Sequence, residues 1–185
     1  IVIFDLVLIC TQNLSWRVHK LQDKKKMGVD PREFRNTVGC FATGVTVITT
    51  TDSLGKPIGL TANSFTSLSL DPPMVLFCLD RKVASFDAFS EGGAFAVNIL
   101  SEVQKDISNR FATTGDDKWN DFDFVTWEGG SPIIPGSLAN LECRAGDIFE
   151  GGDHIILTGE VMRISASEGT PLLYWKGGYA ELNVD

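Results

Sequence analysis

A run of six β-branched residues, Val45 to Thr50, is the strongest local constraint on this chain, and the turn residues Asp52 to Gly55 follow it closely. Branching at Cβ restricts a side chain in a helix and suits a pleated sheet, so the run predicts a strand. Asp, Ser and Gly at the following positions predict a reversal of the chain. The pattern favours an antiparallel hairpin over a strand that leads into a helix.

Six further segments are predicted to be strands, and most of them are separated by turn residues. Met74 to Leu79 is apolar at every position and predicts a strand buried on both faces. Pro72 and Pro73 end the segment before it. The other predicted strands are 58–70, 94–100, 137–149, 154–164 and 172–184. Residues 150–153 are predicted to be the hairpin turn between 137–149 and 154–164. Strands in hairpin order predict a mainly β fold, a closed antiparallel barrel with a few short peripheral helices, and disfavour a doubly wound sheet.

Three short helices are predicted between the strands. Asp30 followed by Pro31 and Glu33 is a helix start, and this helix is expected to run toward Phe41. A second covers residues 83–89, and a third starts in a capping box at Ser101 and ends near residue 115. Residues 113–136 are predicted to be a long loop of the kind that covers a site, held by aromatic anchors, namely Trp119, Phe122, Phe124 and Trp127.

The 185 residues suit one globular domain, which we place at residues 27–185. Residues 1–26 are expected to be an extension outside the core fold. Their apolar part, Ile1 to Cys10, is about half the ~20 residues that span a bilayer, so no membrane association is expected. A net charge of −8 argues against nucleic-acid binding. The four cysteines have neither metal-site nor disulfide-framework spacing, and we interpret them as reduced thiols of a cytoplasmic protein.

The motifs of hydrolases and of metal or nucleotide sites are missing from the sequence. It has two histidines and contains no GxSxG, HExxH, GxGxxG or GxxxxGK[ST] pattern, so we predict no metal site. If the chain is an enzyme, a bound molecule is expected to carry the chemistry.

The densest polar feature is the segment Thr61 to Leu70, in which six of ten residues carry a hydroxyl or a carboxamide and none is charged. Such a segment can bind the edge of a polar ring system or a phosphate. It can equally be a strand with one face in water, and composition alone favours that second interpretation.

Five blocks in order resemble one known family. They are TGVTVITT (43–50), GLTANSFTSLSLDPP (59–73), FAVNIL (95–100), LECRAGDIFEGGDHIILTGEV (141–161) and LLYWKGGY (172–179). Together they resemble the flavin reductase-like family of FMN-binding split barrels over residues 30–184. The resemblance implies an antiparallel, Greek-key split β-barrel.

The resemblance also implies a set of cofactor-binding residues. Those bordering the flavin ring and its ribityl chain are Gly44, Val45, Thr46, Thr61, Ala62, Asn63, Ser64 and Ser67. Those near the flavin phosphate are Arg81, Lys82 and Ser85. His154 is implied as the catalytic residue beside the nicotinamide, and Tyr179 as a residue flanking the same pocket.

The activity that the resemblance implies is NAD(P)H-dependent reduction of FMN or FAD, with NADH or NADPH as electron donor, to supply a partner monooxygenase. A homodimer is implied as well. Two alternatives stay open: a non-catalytic flavin-binding module, and a reductase with another acceptor such as a ferric chelate.

Overall fold

The computed structural model describes residues 28–115 and 117–182, so the expectation for residues 1–26 lies outside the described part of the chain. These residues contain three α-helices, α1 (Pro31–Val38), α2 (Phe86–Ser90) and α3 (Lys105–Ala112), with 3-10 turns at Glu102–Gln104 and Asp117–Trp119. None of the described helices is long and apolar enough to cross a membrane.

Helix α1 starts as predicted and ends earlier than predicted. The Asp30 carboxylate accepts the N–H groups of Arg32 and Glu33 at 2.8 and 3.0 Å. The extension to Phe41 is wrong, because the helix stops at Val38. No residue of α1 is buried, so no packing stabilises further turns once Gly39 is reached.

Twelve strands form three antiparallel sheets within the described part of the chain. The strands are β1 (Thr43–Gly44), β2 (Thr46–Thr51), β3 (Pro57–Ala62), β4 (Thr66–Leu70), β5 (Pro73–Asp80), β6 (Ala94–Ile99), β7 (Val125–Thr126), β8 (Pro132–Ile133), β9 (Ala139–Gly151), β10 (His154–Ala166), β11 (Leu173–Trp175) and β12 (Gly178–Ala180). The main sheet has the order β3-β2-β6-β9-β10-β5-β4, and the smaller sheets are β1-β11-β12 and β7-β8. The predicted single segment 172–184 is therefore a hairpin, which turns at Gly177 with φ of +83°.

The main sheet curls into a split barrel. Its two edges, β3 and β4, are consecutive in sequence and are joined by the three residues 63–65. Seven strands about 4.8 Å apart would place these edges about 29 Å apart in a flat sheet, whereas the connection reaches about 14 Å. The predicted fold class is confirmed. A single strand over residues 58–70 is wrong, because the chain passes from one edge of the sheet to the other at that point.

The barrel encloses a core centred on Phe77, whose ring meets Phe89 and Phe95 edge to face at 5.8 and 5.3 Å. Strand β5 is not buried on both faces as predicted. Val75 and Leu79 are buried while the alternate residues are half-buried. The alternation follows from its position, since one face of β5 looks into the barrel and the other is only partly covered.

A second core cluster attaches helix α3 to the outside of the barrel. Phe111 is 1% exposed and packs there with Val47 and Leu100. Trp119 and Phe122 stack edge to face on Phe111, at 4.8 and 5.3 Å. Phe124 in turn stacks on Trp119, so these three predicted aromatic anchors are confirmed. The fourth, Trp127, lies against the guanidinium of Arg163 instead.

Candidate functional site

A cleft of about 420 Å³ lies between β3, the turn after β5 and the loop that follows α3. We call it the lysine cleft, because Lys56, Lys82 and Lys118 line it and Asp80 is the only carboxylate among the described residues of its wall. The chain as a whole carries a net charge of −8. A local excess of cations in an acidic protein favours an anionic ligand at this position.

The wall of the cleft depends on a glycine in β3. A Cβ on Gly59 would lie 2.8 Å from two ring carbons of Phe111 and 3.0 Å from the Trp119 ring. No side chain larger than hydrogen fits there without moving these rings. Gly59 therefore lets α3 and the aromatic loop approach the strand closely enough to form one side of the cleft.

Lys118 is a cleft residue that the sequence analysis did not single out. Its ammonium donates to the carbonyls of Gly59 and Phe111, at 3.4 and 3.2 Å. Burial lowers the pKa of Lys118 from its ordinary value. An ammonium has three protons, so one donor remains for a ligand. The sequence feature that could have identified Lys118 as a cleft residue is its position as a single lysine among the aromatic anchors of the loop.

The turn after β5 separates the three predicted phosphate-binding residues. Lys82 and Ser85 line the lysine cleft. Arg81 does not: it forms an ion pair with Glu150 of the β9–β10 hairpin, and its guanidinium lies 5.8 Å from the centre of the Phe86 ring. The structure therefore brings two of the three predicted residues to the cleft.

Most polar side chains of the 61–64 segment are bonded to protein. Thr61, which lines the cleft, donates to the Ser108 carbonyl at 2.7 Å. The Ser64 hydroxyl is bonded to the backbone of Cys78. Asn63 is exposed and donates to Thr43 Oγ1 at 3.3 Å. Thr46 donates to the Ala62 carbonyl at 2.7 Å. This segment thus offers a ligand chiefly its backbone and the exposed Asn63 amide.

Of the eight predicted neighbours of the flavin ring and ribityl chain, all within the described residues, only Thr61 lines the lysine cleft. Three of the others lie in different surroundings. Gly44 is exposed in β1, and a Cβ on it would have no atom within 4 Å, so the chain leaves open space there. Val45 is 3% exposed and packs in the second core cluster. Ser67 is exposed on the edge strand β4, next to an irregularity in its pairing with β5.

His154 lies at the start of β10, directly across the ladder from Asp80, a residue of the lysine cleft. Its Nδ1 is 2.8 Å from the carboxylate of Asp153, and its side chain is 42% exposed. The hydrogen bond and the charge of His154 hold the pKa of Asp153 below its ordinary value. The Asp153 contact fixes Nδ1 and leaves Nε2 as the ring nitrogen that can meet a ligand.

Tyr179 ties the C-terminal hairpin to α3. Its hydroxyl lies 2.8 Å from both Ser108 Oγ and Asn109 Oδ1, and the Lys105 ammonium lies 5.2 Å from the centre of its ring. Thr61 bonds to the carbonyl of the same Ser108. Tyr179 is therefore connected to the lysine cleft through α3 rather than by lining it.

The chain matches the model of the flavin reductase like domain over residues 38–183. It is 47% identical over 150 residues to a Rhizobium meliloti protein named "Probable flavin reductase", covering 81% of this chain and 48% of that protein. It is 44% identical over 154 residues to the reductase subunit HsaB of a flavin-dependent monooxygenase from Mycobacterium tuberculosis, covering 82% of each. The structure of a Streptomyces globisporus NADH:FAD oxidoreductase in complex with NAD and FAD fragments superposes with a TM-score of 0.79 at 37% identity, covering 85% of this chain and 97% of that one. The chain thus spans about half the length of the Rhizobium relative.

Proposed function

The chain belongs to the flavin reductase-like family, and from that membership we propose that it reduces FMN or FAD with NADH or NADPH. The observation that carries the proposal is the lysine cleft beside the turn after β5. Family membership directs attention to that turn as the phosphate end of the flavin site. The cleft supplies there the cations that a phosphate requires.

The residues present fit a flavin phosphate. Lys82 and Ser85 come from the turn after β5, and Lys118 comes from the opposite wall. An ammonium and a hydroxyl both donate to phosphate oxygens. The partial burial that lowers the pKa of Lys118 also strengthens its interaction with an anion, because fewer water molecules screen the pair.

A bound flavin would supply the N5 atom that accepts a hydride from nicotinamide C4, so the residues of this chain would have to bind, orient and shield the two rings. We expect the backbone of residues 61–63 and the exposed Asn63 amide to donate to the edge of the flavin ring, which would extend from the cleft past Thr61. Phe111 and Trp119 exclude water from one side of the cleft. Asp153 orients His154, whose Nε2 is then available to a nicotinamide nucleotide at the rim.

The test is to follow the absorbance of NADH and of NADPH with and without FMN, FAD and riboflavin. We expect consumption that depends on added flavin. If neither nucleotide is consumed with any flavin while calorimetry detects flavin binding, the proposal is wrong and a binding module is favoured. Consumption with a ferric chelate but with no flavin would identify the other acceptor class.

We further propose that the reduced flavin serves a partner oxygenase. The Mycobacterium tuberculosis relative is named as the reductase subunit of a flavin-dependent monooxygenase, which supports a shared role. The test is to supply the flavin, nucleotide and chain to a flavin-dependent oxygenase encoded beside it. Product formation that stops when the chain is omitted is the expected result, and equal product without it would refute the role.

A homodimer is the proposed assembly. Large apolar residues on β4, β9 and β10 are more than two-fifths exposed, and five of them form the proposed surface, namely Leu68, Leu70, Ile148, Phe149 and Ile164. Exposed apolar surface on strands of one sheet favours association of like surfaces. Light scattering on the purified chain is expected to give twice the 20.2 kDa chain mass. A monomer mass at micromolar concentration would contradict the proposal.

A further inference from the structure

A second cleft, of about 410 Å³, opens where β6, β9 and β10 run side by side. Glu142 of β9 and Arg163 of β10 line it, and the turn 127–130 lies at its edge. We call it the acid–base cleft. Among the residues that the structure describes, none lines both this cleft and the lysine cleft. The proposed reduction of a flavin does not require the acid–base cleft.

Glu142 is a buried carboxylate with few partners. It is 3% exposed, and its Oε1 accepts the N–H of Gly129 at 2.8 Å. A Cβ on Gly129 would lie 2.9 Å from the same oxygen, so the turn rests directly on the carboxylate. Within residues 28–115 and 117–182, Glu142 forms no ion pair. Carboxylates this buried ordinarily have a cation or several donors, so Glu142 has capacity for another partner.

Arg163 is the expected ion-pair partner of Glu142, but its guanidinium contacts a different residue. Arg163 stands directly opposite Glu142 in the β9–β10 ladder, where opposite charges commonly pair. Its guanidinium instead lies 4.4 Å from the centre of the Trp127 ring, and it forms no ion pair within the described part of the chain. The second arginine of the cleft, Arg144, is bound by Glu160 at 2.6 Å. Glu142 and Arg163 thus face the cleft without pairing with each other, and the cleft wall also contains Glu128, an exposed carboxylate of the turn.

We propose that the acid–base cleft binds a small zwitterion of the α-amino acid type. The ammonium of the ligand donates to the second oxygen of Glu142. Its carboxylate binds the guanidinium of Arg163, which keeps N–H donors at its edge while its face lies on Trp127. Met162, a residue that is 55% exposed, lines the same cleft and offers an apolar contact for the ligand's side chain.

Calorimetry with three matched probes tests the proposal on the flavin-free chain. L-leucine carries both charges, L-leucinamide only the ammonium, and N-acetyl-L-leucine only the carboxylate. We expect L-leucine to bind at least tenfold more tightly than either derivative. Absence of binding by L-leucine up to its solubility limit would overturn the proposal. Binding of either derivative as tight as that of L-leucine would also overturn it, because one of the two poles would then have no role.

Two arginine variants locate the site. Arg163→Gln is expected to weaken L-leucine binding at least tenfold, whereas Arg144→Gln should leave it unchanged, since Glu160 already holds Arg144. Equal losses in both variants would refute the assignment. Glu142→Gln tests the contact with the ammonium of the ligand. In this variant L-leucine should bind no more tightly than N-acetyl-L-leucine, which has no ammonium. If that variant fails to fold, Gly129→Ala displaces the carboxylate instead and is expected to weaken L-leucine binding.

These measurements use no flavin or nucleotide, so their outcome is independent of the proposed reductase activity. The rate of NADH oxidation by Arg163→Gln should equal that of the unmodified chain. A reductase without amino-acid binding would refute only the present inference, and amino-acid binding without flavin reduction would refute only the proposed function.

Discussion

The Ser64 hydroxyl makes two hydrogen bonds with the backbone of Cys78: it accepts the N–H at 3.0 Å and donates to the carbonyl at 3.1 Å. In the β4–β5 ladder Thr66 pairs with Leu76, and the same register continued by two residues sets Ser64 opposite Cys78. The Ser64 hydroxyl thus takes the place of a backbone hydrogen-bond partner for Cys78, at the point where the chain crosses from one edge of the main sheet to the other.

Replacing Ser64 with Ala is therefore expected to lower stability. Both backbone groups of Cys78 lose a partner, which costs about 1–3 kcal/mol in the free energy of unfolding. Urea unfolding measures the loss. Ser67→Ala is the matched control, since Ser67 is exposed on the adjacent strand. Equal unfolding free energies for the two variants would show that the Ser64 bonds contribute nothing to stability.

Cys143 is expected to resist alkylation in the native protein. Burial, with a contribution from the Glu142 charge, raises the pKa of the Cys143 thiol to about 12, so almost none of it is thiolate at pH 8. Cys40 is exposed and serves as the internal comparison. Peptide mass spectrometry after iodoacetamide treatment should find Cys40 modified and Cys143 unmodified until the protein is unfolded. Native alkylation of both at similar rates would contradict the burial of Cys143.

The pKa of Asp153 predicts how the effect of its removal depends on pH. Because His154 lowers that pKa in the folded chain, the carboxylate stabilises the fold above the unfolded value of about 3.9. This stabilisation is lost as the pH falls through the folded pKa. Asp153→Asn should accordingly be less stable than the unmodified chain at pH 5 and equal to it at pH 2, as followed by urea unfolding. A difference that persists at pH 2 would assign the effect to packing.

His154 is expected to act on the nucleotide rather than on the flavin. Removing one hydrogen bond to a ligand costs about 1 kcal/mol, so His154→Ala should raise the KM for NADH about fivefold. The dissociation constant for the flavin should not change, because His154 does not line the lysine cleft. Steady-state kinetics and flavin titration measure the two quantities. Weaker flavin binding with an unchanged KM for NADH would reverse the assignment.

The sequence predicted those elements whose signals are local. The Asp30 helix start and the Ser101 capping box each depend on residues within three positions, and both are present. The break at residues 63–65 was missed because the composition is the same on either side and the bond that fixes it reaches 14 residues along the chain, to Cys78. Lys118 was missed for the same reason, since its contact with Gly59 spans 59 residues.

The turn after β5 allows a test that separates a phosphate site from a general electrostatic effect. Lys82 lines the lysine cleft, whereas its neighbour Arg81 is paired with Glu150. Both variants, Lys82→Gln and Arg81→Gln, remove one positive charge within the same turn. Only the first removes a donor from the cleft, so it should raise the KM for FMN at least about tenfold, which corresponds to the loss of one charge-assisted hydrogen bond to a phosphate of about 1.5 kcal/mol or more.

Riboflavin completes this test because it lacks the phosphate. Lys82→Gln should leave the KM for riboflavin unchanged, and Arg81→Gln should leave both KM values unchanged. Lys118→Gln is expected to follow Lys82→Gln, since its ammonium lies on the opposite wall of the same cleft. If Arg81→Gln raised the KM for FMN as much as Lys82→Gln, the effect would be one of net charge, and the cleft would not be the phosphate site. If riboflavin were affected as strongly as FMN, these lysines would act on the ring or on the fold.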